Sequence, residues 1–230
     1  MILAIDTSVG TSVALVADDG AVLDERASQN PLGHAEAIGG LLQAALEAAS
    51  ATGHPLTHVA AGMGPGPFTG LRVGIAAARA FALGRGIPVV PVVSHDAVAL
   101  EVFLSAAQTD TDLTDTAQTV TDLTDTDQPR FAVVTDARRR EFAFTVYDGI
   151  DDDGLPVRAT EPALIPRELL DARLGELGAE RRDAGAISGA MVASIAARAV
   201  AAGRVPTTTE PLYLRSPDVT QPHGPKRVTT

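Results

Sequence analysis

The sequence contains neither cysteine nor tryptophan, and aromatic residues make up only 3% of its 230 positions. Without cysteine there can be no disulfide framework and no thiolate metal site. No apolar run approaches the roughly 18 to 20 residues that a membrane-spanning helix needs. The first residues carry a carboxylate and no basic leader, so we expect no signal peptide, no membrane association and a cytoplasmic location.

Basic residues are also scarce, with 18 Lys and Arg against 29 Asp and Glu and a net charge of −11. Residues 108–127 form a tandem decapeptide rich in Asp and Thr, without the glycines that tight calcium-binding turns need. Low hydrophobicity and charge of a single sign predict a low-complexity acidic insertion over residues 105–129. A protein that grips a nucleic-acid backbone by itself usually presents a basic face, so we expect any such contact to be indirect.

The order of elements in the first half is repeated, imperfectly, in the second half. In the first half we predict strands at Ile2–Ile5, Ser12–Val16, Ala21–Glu25, Val59–Met63 and Val89–Val93, with helices at His34–Ser50 and Thr69–Leu83. In the second half, strands are predicted at Phe131–Thr135, Phe142–Tyr147 and Val157–Ala163, with helices at Arg167–Leu177 and Met191–Ala202. Two such βββαβα patterns predict an α/β, duplicated ribonuclease-H-like fold, the architecture shared by actin, sugar kinases and Hsp70 chaperones (ASKHA).

Two lobes follow from this pattern, at residues 1–104 and 130–215, with a flexible tail over residues 216–230. The second lobe is expected to be shortened, because the stretch Gly178–Gly189 is too polar for a confident core strand.

A glycine-rich segment, Gly-Met-Gly-Pro-Gly-Pro-Phe-Thr-Gly-Leu-Arg over residues 62–72, joins a predicted strand to a predicted helix for which Thr69 is a suitable N-cap. The backbone N–H groups of such a loop suit a phosphate, which makes Gly64, Gly66, Thr69 and Gly70 a candidate phosphate-binding loop. The alternative is a turn stiffened by Pro65 and Pro67, which remove two N–H donors.

Two aspartates end the first strands of the two halves, Asp6 and Asp136. Such carboxylates can hold Mg²⁺ or activate a water in kinases and ATPases of this fold. They can instead accept hydrogen bonds from the N–H groups of the following turn. The first interpretation gives an alternative function, an ATP-dependent kinase or ATPase that uses Asp6, the Gly64–Gly70 loop and Asp136.

The helix Thr69–Leu83 is apolar on nearly every side except for the stripe that holds Arg72 and Arg79. A helix of this kind must be covered on both sides, by the sheet on one and by a second chain on the other. We therefore predict a partner interface formed by the first two helices. Its residues are Ile38, Leu42, Leu46, Ala49, Arg72, Ile75, Ala77 and Arg79.

Residues 64–74, Gly-Pro-Gly-Pro-Phe-Thr-Gly-Leu-Arg-Val-Gly, resemble the GPGSFTGLRIG signature of the TsaB (YeaZ) family, with Pro67 in place of the usual Ser. Three further segments agree in order: Ile5–Ser8, Thr135–Arg138 and Leu212–Arg215. The resemblance implies a non-catalytic subunit of the machinery that makes threonylcarbamoyladenosine in tRNA. It implies pairing with a TsaD-type transferase through the first helices, a TsaE-type ATPase as third partner, and a homodimer when alone. Contact with tRNA would be indirect, and no cofactor is expected beyond weak nucleotide binding within the complex.

The catalytic relatives, the TsaD proteins, hold a metal with a His-x-x-x-His pair that follows the same loop, helix and strand. At the matching positions this sequence has Ser94 and Val98, and His95 is one step out of register. Neither a hydroxyl nor an isopropyl group replaces an imidazole on a transition metal. The sequence therefore predicts no metal site and no catalytic residue.

Overall fold

The computed structural model describes residues 1–28, 30, 33–111 and 129–215. The elements are β1 (Ile2–Asp6), β2 (Thr11–Val16), β3 (Val22–Ser28), α1 (His34–Thr52), β4 (His58–Gly62), α2 (Phe68–Arg85), β5 (Val89–Val92), α3 (Ser94–Thr111), β6 (Phe131–Asp136), β7 (Glu141–Ile150), β8 (Pro156–Arg158), β9 (Ala163–Pro166), α4 (Arg167–Leu177), β10 (Glu180–Asp183) and α5 (Gly189–Ala201). Within these ranges no helix is long and apolar enough to cross a membrane.

The first sheet has the strand order β3-β2-β1-β4-β5. Strands β1, β2 and β3 form an antiparallel meander, β4 pairs in parallel with β1, and β5 pairs in parallel with β4. Side chains alternate along each strand: Leu3 and Ile5 pack under α1 and α2, whereas Ile2 and Ala4 face the opposite side. Because both faces are buried, β1 is apolar at each of its first four positions.

The second sheet has the order β10-β6-β7-β8, and β9 also pairs with β7. The strand predicted at Val157–Ala163 is therefore two short strands, which pair with different ends of β7. The polar stretch before α5 does contain a strand, β10, which runs parallel to β6 and has all four residues exposed. The expectation that this stretch was too polar for a core strand was right, but an edge strand in solvent needs no apolar residues, and charged side chains protect it from unwanted pairing.

Two helices exchange places between the lobes. Helix α3, which was not predicted, packs on β6, β7 and β8 of the second sheet. Helix α5 of the second half packs on β1 and β2 of the first sheet. A common core fills the space between the sheets, with Val98 and Phe103 from α3 and Val192 and Ala196 from α5. Each lobe is thus completed by a helix from the other half, and the domain boundary predicted at residue 104 stays a prediction.

The predicted acidic insertion begins within this helix, since α3 continues to Thr111. The rest of the decapeptide repeat, residues 112–128, and the predicted tail, residues 216–230, lie outside the described residues. Predictions about those two segments stay predictions.

The starts of α2 and α5 differ from their predicted positions. Pro67 is the N-cap of α2 and Thr69 lies inside the first turn, so the prediction of Thr69 as the cap is wrong. At α5 the Ser188 hydroxyl accepts a hydrogen bond from Met191 N (3.2 Å). The Glu25 carboxylate of β3 accepts bonds from the Ser188 hydroxyl (2.8 Å) and from Ala190 N (3.2 Å). A carboxylate at a helix N-terminus interacts favourably with the helix dipole and ties α5 to the first sheet.

Candidate functional site

The glycine loop packs directly on the turn between β1 and β2. A Cβ atom added at Gly62 would lie 1.8 Å from the Asp6 carboxylate, and one at Gly66 would lie 2.8 Å from Ser8 Cα. At Gly70 it would lie 2.8 Å from the Thr7 carbonyl oxygen. All three distances are too short for any side chain, so the glycines are explained by close contact within the chain.

Gly64 and Gly70 of this loop are also hydrogen-bonded within the chain. Gly64 N donates to Ser94 Oγ (3.1 Å), and Ser94 N donates to the Gly64 carbonyl oxygen (2.8 Å). The Thr7 hydroxyl donates to the carbonyl oxygen of Gly70 (2.7 Å). These contacts favour the interpretation of a stiffened turn, and phosphate binding by the loop stays a prediction.

Asp6 lies beneath the loop and is almost fully buried. Its carboxylate accepts hydrogen bonds from Ser94 Oγ (2.5 Å), Ser8 N (2.7 Å) and Ser8 Oγ (3.1 Å). Burial raises the pKa of Asp6, although the bonds from Ser94 and Ser8 oppose this shift. The carboxylate thus serves as an acceptor for the turn and does not face the cleft between the lobes.

Asp136 also accepts a hydrogen bond from the turn that follows its strand, but its side chain is exposed and not buried. Its Oδ1 accepts hydrogen bonds from Arg138 N (2.8 Å) and from Arg167 Nη2 (2.8 Å), and the side chain is exposed. Partial desolvation acts to raise the pKa of Asp136, but the bonds from Arg138 and Arg167 outweigh it and hold the pKa below the usual value. The structure therefore places Asp136 in the wall of the cleft and does not place Asp6 there.

A cleft of about 350 Å³ separates the glycine loop from the β6–β7 turn. Its wall includes the rings of Phe68 and Tyr213, whose centroids are 4.4 Å apart. The charged groups at the cleft are Asp136, Arg139 and Arg215, and Arg215 forms an ion pair with Glu141. The cleft combines aromatic surface with guanidinium groups.

The β6–β7 turn holds three successive arginines in the left-handed region. Arg138, Arg139 and Arg140 have φ values of 62°, 51° and 63°. For residues with a side chain this conformation costs roughly 1–2 kcal/mol each. The turn is fixed by hydrogen bonds from Glu141 N to the Arg138 carbonyl oxygen (3.0 Å) and from Arg167 N to that of Arg140 (3.0 Å). Nothing in the sequence indicates that the backbone of this turn is strained.

The positions that match the metal ligands of TsaD proteins do not fit a metal. The Ser94 hydroxyl is fully buried and bonded to Asp6 and Ser8, and Val98 is part of the central core. His95 is also fully buried, and its two ring nitrogens bond to Thr145 Oγ1 (2.8 Å) and Thr135 Oγ1 (2.9 Å). Burial, with a smaller effect of Arg158, lowers the pKa of His95 to about 3. In the described ranges no three His, Asp or Glu side chains form a group that could hold a metal ion.

The residues of the predicted partner interface differ in their exposure, and the interface itself stays a prediction. Ile38, Ala49 and Ile75 are at most 8% exposed and pack in the core of the first lobe. Their inclusion in an exposed stripe was wrong, because these positions of α1 and α2 face the sheet. Leu42, Leu46 and Ala77 are partly exposed, and Arg72 and Arg79 are exposed.

The C-terminal segment contacts the arginine stripe of α2. Arg72 Nε donates to the Tyr213 hydroxyl (3.1 Å), and Arg79 donates to the carbonyl oxygen of Thr209. Leu212 N donates to the Met63 carbonyl oxygen (2.8 Å), and the Leu212 side chain packs on the first core. The Leu212–Arg215 segment stood out in the sequence, but its contact with α2 could not be read from it.

Fold and site together define a duplicated ribonuclease-H-like protein. At the two positions where TsaD proteins have metal ligands, this chain has buried residues. A solved Pseudomonas aeruginosa structure, described as an uncharacterized protein with similarity to peptidase YeaZ, matches with a TM-score of 0.67 and 24% identity, covering 93% of this chain and 99% of that one. The structure of YeaZ from Pseudomonas aeruginosa matches with a TM-score of 0.63 and 23% identity, covering 88% of this chain and 92% of that one. These likenesses confirm the predicted fold class.

A family model described as "TsaD: tRNA N6-adenosine threonylcarbamoyltransferase" matches residues 7–157, and the chain belongs to this family. Uncharacterized proteins of Mycobacterium bovis and Mycobacterium tuberculosis are 39% identical over 161 residues, covering 69% of this chain and 64% of each relative. The match thus leaves about a third of each mycobacterial protein uncovered. A tRNA N6-adenosine threonylcarbamoyltransferase of Streptococcus suis is 39% identical over 111 residues, 40% of this chain and 32% of that enzyme. The chain is a TsaD-related protein with a YeaZ-like fold.

Proposed function

We propose that the chain is a non-catalytic, TsaB-type subunit that pairs with a TsaD-type transferase in threonylcarbamoyladenosine modification of tRNA. The observation that carries this proposal is the burial of Ser94 and Val98. Both occupy positions where the catalytic relatives have metal-binding histidines, and both side chains are committed to the interior. Family membership and the YeaZ-like fold support the assignment to this pathway.

The alternative function, an ATP-dependent kinase or ATPase, receives less support from the geometry. It requires Asp6 and Asp136 to face one nucleotide, but Asp6 is buried beneath the loop and bonded to Ser8 and Ser94. Measurement of ATP hydrolysis by the purified chain separates the two functions: the subunit should show none above background.

The outer face of α1 and α2 is the surface we assign to the partner. Leu42, Leu46 and Phe81 line an open groove beside Gly39, and Leu83 is 85% exposed. A Cβ atom added at Gly39 would meet no heavy atom within 4 Å, so another backbone can approach there. Exposed apolar surface of this kind on a soluble protein usually marks association. The same face would form a two-fold homodimer when the partner is absent.

Two matched leucine variants test this surface. Leu83→Asp on α2 should abolish co-purification with a TsaD-type protein, because binding would bury an unpaired charge. Leu169→Asp changes a leucine that is 53% exposed on α4 of the other lobe, and should leave binding unchanged. Neither residue is buried, so both variants should keep the wild-type circular dichroism spectrum. Equal binding by the wild type and the Leu83 variant would contradict the surface.

The other components follow from the same proposal. A TsaE-type ATPase would dock where the two subunits meet, and the transferase would hold most of the tRNA and the reacting groups. The subunit would need no cofactor of its own and would work in the cytoplasm.

A further inference from the structure

We propose that the β6–β7 arginine turn is a direct contact site for single-stranded RNA, formed by Arg138, Arg139 and Arg140 together with Tyr213 at the cleft. The inference rests on the proposed function for the identity of the polyanion. It goes beyond that function because tRNA contact was expected to be indirect. Inorganic phosphate and free nucleotide share the same chemistry and are separated from RNA by the test.

The backbone conformation of the turn indicates a functional site. Glycine and asparagine adopt the left-handed region readily, yet this turn has arginine at three successive left-handed positions. Strain of this kind is found mainly at ligand clamps and other functional sites. The turn gains no burial in return, because the side chains of all three arginines are exposed.

The excess of positive charge at this end of the cleft favours a polyanionic ligand. Five arginines meet around this end of the cleft, Arg138, Arg139, Arg140, Arg167 and Arg215, against the two carboxylates of Asp136 and Glu141. The two carboxylates are already paired with Arg167 and Arg215. Among the described residues, Arg138 and Arg140 form no ion pair, so a positive edge remains on a chain whose net charge is −11.

The aromatic surface next to the turn suits a nucleic-acid base. Tyr213 is 37% exposed and lies in the same cleft wall as Arg139. Single-stranded nucleic acid is bound by guanidinium groups along its backbone and by aromatic rings on which bases stack. Arginine forks also match phosphate geometry better than lysine does. The site therefore fits an RNA strand, with phosphates on the turn and a base at Tyr213.

The test measures fluorescence anisotropy of a fluorescein-labelled, unmodified tRNA transcript with the full chain from 50 to 300 mM salt. The double variant Arg138→Gly/Arg140→Gly should bind about tenfold more weakly at 50 mM salt. Its slope of log K against log salt should be shallower by about 1.4, because each phosphate contact to a single strand contributes roughly 0.7. Inorganic phosphate and ATP at millimolar concentration should not displace the transcript.

Three controls keep the result interpretable. The glycine variant relieves the strained backbone, so its melting temperature should be equal to or above that of the wild type. Arg138→Lys/Arg140→Lys should keep most of the affinity, and Arg173→Gln, on α4 where it pairs with Glu176, should keep all of it. Unchanged tRNA affinity of the glycine variant, absence of saturable binding by the wild type, or displacement by phosphate would overturn the RNA site. Co-purification with the TsaD-type partner would be unaffected by that failure, which separates the two proposals.

Discussion

Gly74→Ala is the change for which the structure predicts a result opposite to the usual one. Replacing glycine by alanine inside a helix normally stabilises by up to about 1 kcal/mol. In α2, however, the added Cβ would lie 2.2 Å from Thr7 Oγ1 and 2.9 Å from Thr7 Cγ2. Thr7 cannot turn away without losing its hydrogen bond to the Gly70 carbonyl oxygen.

The magnitude follows from three contributions. Overpacking of a well-packed interior costs typically about 1–3 kcal/mol, and loss of the Thr7 bond costs about 1 kcal/mol. The gain in helix propensity offsets about 1 kcal/mol of this. We expect the free energy of unfolding to fall by about 1–3 kcal/mol, and a change of 1 kcal/mol lowers the melting temperature of a protein of this size by roughly 2–4 °C.

Gly84→Ala in the same helix is the matched control. No heavy atom lies within 4 Å of a Cβ atom at Gly84, so this variant should be slightly more stable than the wild type. Urea unfolding followed by circular dichroism measures both. If Gly74→Ala were as stable as Gly84→Ala, the close packing of α2 on the β1–β2 turn would be refuted.

Two buried polar residues give further predictions. Because the pKa of His95 is lowered from 6.5 to about 3, only the unfolded chain takes up this proton between those values. The free energy of unfolding should therefore fall by about 1.4 kcal/mol per pH unit as the pH drops below 6.5, relative to His95→Gln measured in parallel, and equal pH profiles would contradict this. Asp96→Asn removes the carboxylate that accepts bonds from Tyr147 Oη (2.8 Å) and Arg158 Nε (2.8 Å). Since Arg158 keeps some solvent contact, we expect a loss of about 2–3 kcal/mol in urea unfolding, and a loss below 1 kcal/mol would show that the pair is not structural.

The strands and helices that could be predicted are those whose residues carry a strong local pattern. Strands β1 to β7 and helices α1, α2, α4 and α5 were found because their apolar spacing is unambiguous. The strand β10 was not found, because all its residues are exposed and charged. The exchange of α3 and α5 between the lobes could not be predicted, since it depends on contacts between elements that are far apart in the sequence, such as α5 with β1 and β2.

Prediction of the candidate site from the sequence was limited in the same way. The glycine loop stood out in the sequence, but its meaning depended on Thr7 and Ser8, which fill the space next to Gly66, Gly70 and Gly74. The partner face was predicted on α1 and α2, and the inclusion of Ile38 and Ile75 failed because of the direction in which each helix faces the sheet. That direction is set by packing, and α2 is too uniformly apolar for its sequence to reveal it.

Reconstitution of threonylcarbamoyl transfer tests the central claim most directly. Unmodified tRNA transcript, threonylcarbamoyl donor, a TsaD-type protein and a TsaE-type ATPase would be combined with and without this chain, and threonylcarbamoyladenosine would be measured by mass spectrometry of the digested tRNA. We predict modified tRNA only when both this chain and the TsaD-type protein are present, and far less when Leu83→Asp replaces the wild type. Modification by this chain without the TsaD-type protein, or undiminished modification when this chain is omitted, would contradict the account.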